Sequence, residues 1–486
     1  MIKYHPTPAP ITHSADRPLH IPHLARELPS GWRWCMLDDV CEGVFDCPHS
    51  TPILTSDGPY VVRTQDILTG TFRTDQAAHV SDETYQDRIR RAEPRFGDLL
   101  FSREGTYFGI AAEVPKDIRV CLGQRMVLLR PVSTIVDAKF LKYWLNGPIL
   151  ASHVNGQRDG TVAERLNMPT IRALPFPVPP LKQQRRISEI LSTLDDKIDL
   201  NRSIIKTLEA ITRRLFQSWF VDFDPVHAKV TLRRQHPNWT NTQVTRAALP
   251  TFAPDIADLF ADSFDQSTLG PIPKGWSQTV LHELINSVIG GDWGKDAPDD
   301  HFTEAVLCIR GADIPDLQTG GIGKMPTRYI KASSLRKRRM APGDIAFEIS
   351  GGSPTQSTGR AVLATEAFIM RMGMPVTCSN FCRLIRPTSN VSSLFLYQYL
   401  CWLYGNDDFL QYENGTTGIK NLSFTPFSSL HPFLRPPEPL MKAFDQTALS
   451  LFAKRDATGL ESSRLAITRD ALLPKLLAGE IDMAEH

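Results

Sequence analysis

The residues whose types and spacing could do chemistry in this chain are hydrogen-bond donors beside glycine-rich turns. In the first half they are Arg63, Gln65, Arg103, Arg125 and Arg158, with Gln124 among them. In the second half they are Arg310, Arg360, Asn380, Lys420 and Asn421, with Arg328 among them. Arg, Gln and Asn present paired donors and acceptors that match base edges, and Lys and Arg also neutralise phosphates. Two short basic runs join them: Arg88, Arg90, Arg91 and Arg95, then Arg336, Lys337, Arg338 and Arg339. Any one of these side chains is accounted for as a solvated surface residue. What raises the pattern above that is its duplication.

Bond-making chemistry finds little footing. Gly320-Gly321-Ile322-Gly323-Lys324-Met325 lacks the first glycine spacing and the Ser or Thr of a phosphate loop, and Gly351-Gly352-Ser353 reads as a turn. Asn167-Met168-Pro169-Thr170 lacks the second proline and the aromatic of an amino-methyltransferase signature. Asp98 with Glu104, or Asp344 with Glu348, would be the carboxylates of a nuclease, but neither pair is followed by a suitable lysine. Cys35, Cys41 and Cys47 are six apart with His49 nearby, which is not a zinc spacing, so the eight cysteines read as free thiols. No catalytic residue and no metal site is assigned.

The elements that must position these donors are legible as a repeat. Pro29-Ser30-Gly31-Trp32 returns as Pro273-Lys274-Gly275-Trp276, Val61-Val62-Arg63 as Cys308-Ile309-Arg310, and Gly97-Asp98-Leu99-Leu100-Phe101 as Gly343-Asp344-Ile345-Ala346-Phe347. The strand ending in Arg130-Pro131 returns as the one ending in Arg386-Pro387, and Pro179-Pro180 as Pro436-Pro437. So many anchors in one order signal an internal duplication.

Between the copies lies Leu181 to Phe220, without Gly or Pro. Its apolar residues recur every seven positions, in one seam of Leu191, Ile198, Ile205, Thr212 and Trp219 and another of Ile187, Leu194, Asn201, Leu208 and Leu215. This predicts a long amphipathic helix with Arg186, Asp195, Lys197, Arg202 and Lys206 on a solvated face. About 35 helical residues would make a rod of roughly 50 Å. Polar Asn201 and Thr212 in the stripe point to a fixed register. Phe444, Leu451, Leu465 and Leu472 repeat the second seam 257 positions later, while Arg455, Ser462 and Arg469 interrupt the first. The second helix is therefore expected to lean on the first.

The expected architecture is α+β, with two similar mixed globules and two long helices of coiled-coil type. Its segments are a disordered tail over 1–27, a domain over 28–180, a helix over 181–223, an irregular connection over 224–269, a second domain over 270–437 and a second helix over 438–481. The formal net charge of +1 means that any basic footprint is local. No signal peptide opens the chain and no 18-residue apolar run interrupts it, so a cytoplasmic protein is expected.

These residues resemble the specificity subunit of type I restriction–modification systems from about Leu28 onward. The resemblance rests most on Pro180-Leu-Lys-Gln-Gln-Arg-Arg-Ile187, on Ile190-Leu-Ser-Thr-Leu-Asp-Asp-Lys-Ile198, on Leu215 to Pro225 and on Leu472 to Ile481. It implies that the globules are target recognition domains, each reading half of a split, asymmetric double-stranded DNA sequence. The helices would be antiparallel spacers related by pseudo-two-fold symmetry. Two modification (methyltransferase) subunits and the restriction (motor-nuclease) subunits would be the protein partners. S-adenosylmethionine, ATP and magnesium would belong to those partners, with no cofactor bound by this chain and no membrane. A coiled-coil adaptor that does not touch DNA, or the recognition part of a single-chain restriction enzyme, are the rival readings.

Overall fold

A computed structural model describes residues 20–22, 27–68, 70–105, 108–155, 165–351, 356–415 and 419–483. The chain forms two compact units. One is built from residues up to Lys197 together with those from Leu465 on, and the other from Ile198–Arg464.

In the first unit a four-stranded antiparallel sheet runs Cys41–Asp46, Met126–Pro131, Leu99–Ser102, Ala111–Glu113. A second sheet runs Ala78–His79, Thr55–Val62, Val120–Leu122, with the last two parallel. Both faces of Leu99–Ser102 are buried, which is why it reads as a continuous apolar run rather than an alternation. A ribbon of Arg33–Met36 with Pro175–Val178 closes the unit.

The second unit repeats this topology. Its antiparallel sheet runs Ile285–Gly290, Cys382–Pro387, Ile345–Glu348, Ala361–Leu363. Its other sheet runs Thr327–Ile330, Glu304–Ile309, Val376–Cys378, again with the last two parallel. Ser277–Val280 pairs with Pro432–Arg435 as the closing ribbon. The repeat found in the sequence is thus a repeat of strand order.

Two helices of 40 residues each, Leu181–Phe220 and Glu438–Leu477, complete the fold. The first starts on buried anchors in unit one. Gln184 donates to the carbonyls of Ile135 and Pro179 at 2.9 and 2.8 Å and accepts from the Asp137 backbone at 2.9 Å. Gln183 accepts from the Trp32 indole at 2.8 Å. Leu191, Ile198, Ile205, Thr212 and Trp219 are all buried, as are Ile187 and Asn201. Leu194, Leu208 and Leu215 are half-buried. Within unit one the helix packs Ile187 and Leu191 in the same core as Leu476 and Leu477. Within unit two it packs Phe216, Trp219 and Phe220 against Phe444, with Leu215 at the edge of that core. On the second helix Leu451, Leu465 and Leu472 are half-buried and Phe444 is fully buried.

Three expectations are corrected. Asp195, read as solvated, accepts from Tyr143 Oη at 2.7 Å and from Arg469 at 2.8 Å. Arg455, read as an interruption of the seam, is buried, bonded to Asp456 at 2.8 Å and stacked 4.2 Å over the Phe452 ring. The segment 224–269, expected to be irregular, holds three helices, Asp224–Gln235, Asn241–Ala248 and Pro254–Leu259. Prolines recur along it, but Pro225 and Pro254 stand at helix starts, where a missing N–H costs nothing. Lys229 is buried there and donates to the Phe260 carbonyl at 2.7 Å. Most of the N-terminal stretch expected to be disordered, 1–19 and 23–26, lies outside the described residues. All eight cysteines are free. No helix among the described residues is long and apolar enough to cross a membrane.

Candidate nucleic-acid interface

In each unit the donors gather where the parallel strand pair runs out. In unit one, Thr55–Val62 delivers Arg63 to the start of a short turn, Thr64–Asp66. Asp66 is buried. Its Oδ2 accepts from the Arg63 backbone N–H and from Nε, both at 2.8 Å, and its Oδ1 accepts from Nη2 at 2.9 Å. Burying that carboxylate is tolerable because the charge is fully engaged. The partner strand delivers Gly123, whose N–H donates to the Val62 carbonyl at 2.7 Å. A Cβ on Gly123 would lie 2.5 Å from that oxygen and 3.2 Å from Arg63 Cγ, so glycine is what lets the two strand ends close on the arginine stem. Gln124 follows and donates to the His49 carbonyl at 2.6 Å. Arg125, in the left-handed region at φ 69°, accepts from the Arg103 backbone and pairs with Glu104 at 3.3 Å.

Asp46 ties the basic run to this cluster. It pairs with Arg103 at 3.2 Å, and its carbonyl accepts from Arg91 at 3.2 Å. Arg88 is buried and donates to the carbonyls of Leu122 and Pro48. Arg90 is solvent-exposed beside Asp87, and Gln65 is exposed. Arg158 lies outside the described residues.

Unit two repeats the device. Glu304–Ile309 delivers Arg310, and buried Asp313 accepts from its backbone N–H at 3.0 Å, from Nε at 2.9 Å and from Nη2 at 3.0 Å. Burial alone would raise the Asp313 carboxyl, but the Arg310 side-chain and backbone hydrogen bonds hold it below the ordinary carboxylate range. The partner strand delivers Ser379, which donates to the Ile309 carbonyl at 2.9 Å, then exposed Asn380 and Phe381. Asn380 therefore occupies the place of Gln124.

Around Arg310 opens a cleft of about 650 Å³, walled by Trp293, Phe381 and Asn380. At its floor Glu348, fully buried, binds Arg360 through two hydrogen bonds of 2.8 and 2.5 Å. Arg328 stacks 4.4 Å over the Trp293 ring. Asn421 and Lys420 face Ser350 and Gly351 across a strand pair at the rim, and Lys420 pairs with Glu413 at 3.1 Å. The basic run ends the helix Ala332–Arg338. Arg338 donates to the Gly290 carbonyl at 2.8 Å, and Arg336 and Lys337 are exposed.

The carboxylates weighed as nuclease groups are committed elsewhere. Asp98 pairs with Arg130 at 2.7 Å, Asp344 with Arg386 at 3.3 Å and Glu348 with Arg360. Among the described residues no three His, Cys, Asp or Glu side chains could hold a metal ion together. Sequence reasoning missed Asp66, Asp313, Trp293 and Phe381. The first two carried a signal, since Arg-x-x-Asp occurs at both copies of the strand end.

Residues 29–210 match the profile of the type I restriction modification DNA specificity domain. The chain is 24% identical to the HindI specificity subunit of Haemophilus influenzae, covering 86% of this chain and 94% of that protein. It is 23% identical to the MjaIX specificity subunit of Methanocaldococcus jannaschii, over 84% and 82% of the two chains. The chain is thus similar to the type I specificity subunits, through this domain and along most of its length. Its fold is shared with the crystal structure of the type I S subunit from M. genitalium, at a TM-score of 0.51 and 15% identity, over 96% of this chain and 100% of that one. A specificity subunit is the non-catalytic member of its enzyme.

Proposed function

We propose that this chain chooses the DNA sequence on which a type I restriction–modification complex acts. Each unit reads one half of a bipartite, asymmetric target with the loops around Arg63 and Arg310. The long helices set the gap between half-sites, as antiparallel spacers with pseudo-two-fold symmetry. They also dock two methyltransferase subunits, with restriction subunits joining for cleavage. S-adenosylmethionine, ATP and magnesium are held by those partners.

One observation carries the reading. The same strand pair in both units ends in the same Arg–Asp pair, while the residues beside it differ, Gln124 against Asn380. A shared frame with different reading residues is what two different half-sites require. Arg63, Arg103, Arg125, Arg310, Arg360 and Lys420 each stand against a carboxylate, so these loops offer placed donors more than net positive charge. The isolated chain should accordingly bind DNA weakly, with partners supplying much of the phosphate grip.

The test is methylome sequencing of a host expressing the chain with its cognate modification subunit. Methylation at a split asymmetric motif that vanishes on deleting the chain is the expected result. Methylation indifferent to the chain would overturn it. Changing Arg90, Arg91, Arg336 and Lys337 to Ala should weaken DNA binding of an assembled complex; undiminished binding would favour the adaptor.

A further inference from the structure

The two Arg–Asp pairs differ in what they leave available. An arginine has five N–H donors in a planar fork. In Arg63, Asp66 takes Nε and one proton of Nη2. Among the described residues Nη1 of Arg63 meets no hydrogen-bond partner, so the outward edge, Nη1 with the second Nη2 proton, stays open. In Arg310, Asp313 takes the same two donors, but the Lys324 carbonyl takes the second Nη2 proton at 2.6 Å. Its outward edge is reduced to Nη1.

We propose that Arg63, positioned by Asp66, reads a guanine by donating both outward N–H groups to O6 and N7, and that Arg310 makes no such paired contact. The inference rests on the half-site reading above and names the base chemistry of one position in it. A guanine edge is favoured over a phosphate for two reasons. Asp66 cancels the charge a phosphate grip would use while leaving the fork geometry intact. And the guanidinium is held at its stem by the Gly123 approach and at its inner edge by a buried carboxylate, which fixes its plane. Fixing the plane matters for a paired contact to a base and little for a point charge.

The assembled complex provides the test. Arg63→Met together with Asp66→Asn removes the fork without stranding a buried charge. In the methylome, one guanine of one half-site should become degenerate, with every other position and the other half-site kept. In binding assays discrimination at that base, roughly 5- to 150-fold for a paired contact, should disappear. Arg310→Met with Asp313→Asn should leave no guanine of the other half-site degenerate. Arg90→Gln, at an exposed position beside Asp87, should weaken binding evenly across sequences. Should the double variant fail to assemble, the unaltered complex can be titrated with duplexes carrying 7-deazaguanine at each guanine in turn. Selective loss at one guanine supports the contact, and no selective loss overturns it. An unchanged motif with uniformly weaker binding would make Arg63 a phosphate contact and overturn the proposal alone. Methylation independent of the chain would remove the half-site reading and this inference with it.

Discussion

His431 shows how a single buried side chain can make unit two sensitive to pH. It lies among the rings of Phe427, Tyr412 and Phe433, and burial lowers its pKa from the usual 6.5, with Asp408 opposing. Because the folded pKa is the lower one, the unfolded chain takes up the proton first as pH falls. The stability gained by keeping the ring neutral is whole above 6.5 and drains as pH drops through that value towards the folded pKa. Urea unfolding at about pH 7.5 and about pH 5.5 should show this loss, and His431→Phe should reduce it. An identical pH dependence in the variant would reject the assignment. At this scale the sequence was partly legible. Donor types single out Arg63 and Arg310 as candidates, but a sequence does not say which carboxylate closes on which arginine. Arg360 stands in the sequence as a donor beside a glycine-rich turn, and nothing there shows that its Nε and Nη2 bind Glu348, twelve residues upstream and across a strand pair.

The long helices were read from their heptads because a buried stripe leaves a period, and Leu191, Ile198, Ile205, Thr212 and Trp219 are indeed all buried. What the period could not convey is how the second helix meets its own unit. Gly459 sits in mid-helix, where a Cβ would lie 2.5 Å from the Gly320 carbonyl carbon and collide with the Thr319 oxygen. In an unpacked helix Gly→Ala adds about 1 kcal/mol of stability. Here overpacking, about 1–3 kcal/mol, should outweigh it. Gly459→Ala is therefore expected to lower the urea midpoint, and a raised midpoint would mean that the close approach is dispensable. Of the helices over 224–259, Asp224–Gln235 and Pro254–Leu259 open at prolines, which equally mark irregular connections, and Asn241–Ala248 opens at a capping box, Thr240 with Gln243, and is too short to show an apolar period.

For the molecule as a whole, the duplicated anchors gave the α+β class and the repeated strand order, since strands buried on both faces leave apolar runs at corresponding places. If the helices set the gap, inserting one heptad into each should lengthen both by about 10 Å. The methylated motif should then gain about three base pairs between unchanged half-sites. An unchanged gap, with methylation retained, would separate spacing from helix length. The composition of unit one carries a different consequence. Its core includes Leu476 and Leu477, Leu477 packs at Gly147, and Gly479 abuts Pro29. All of Ile198–Arg464 is translated between the two parts of that unit. The first unit to leave the ribosome is thus the last to be completed, and until then the surface around Ile187 and Leu191 waits uncovered. A chain broken off early would leave that apolar face without its C-terminal cover, the kind of exposed patch that invites aggregation and proteolysis.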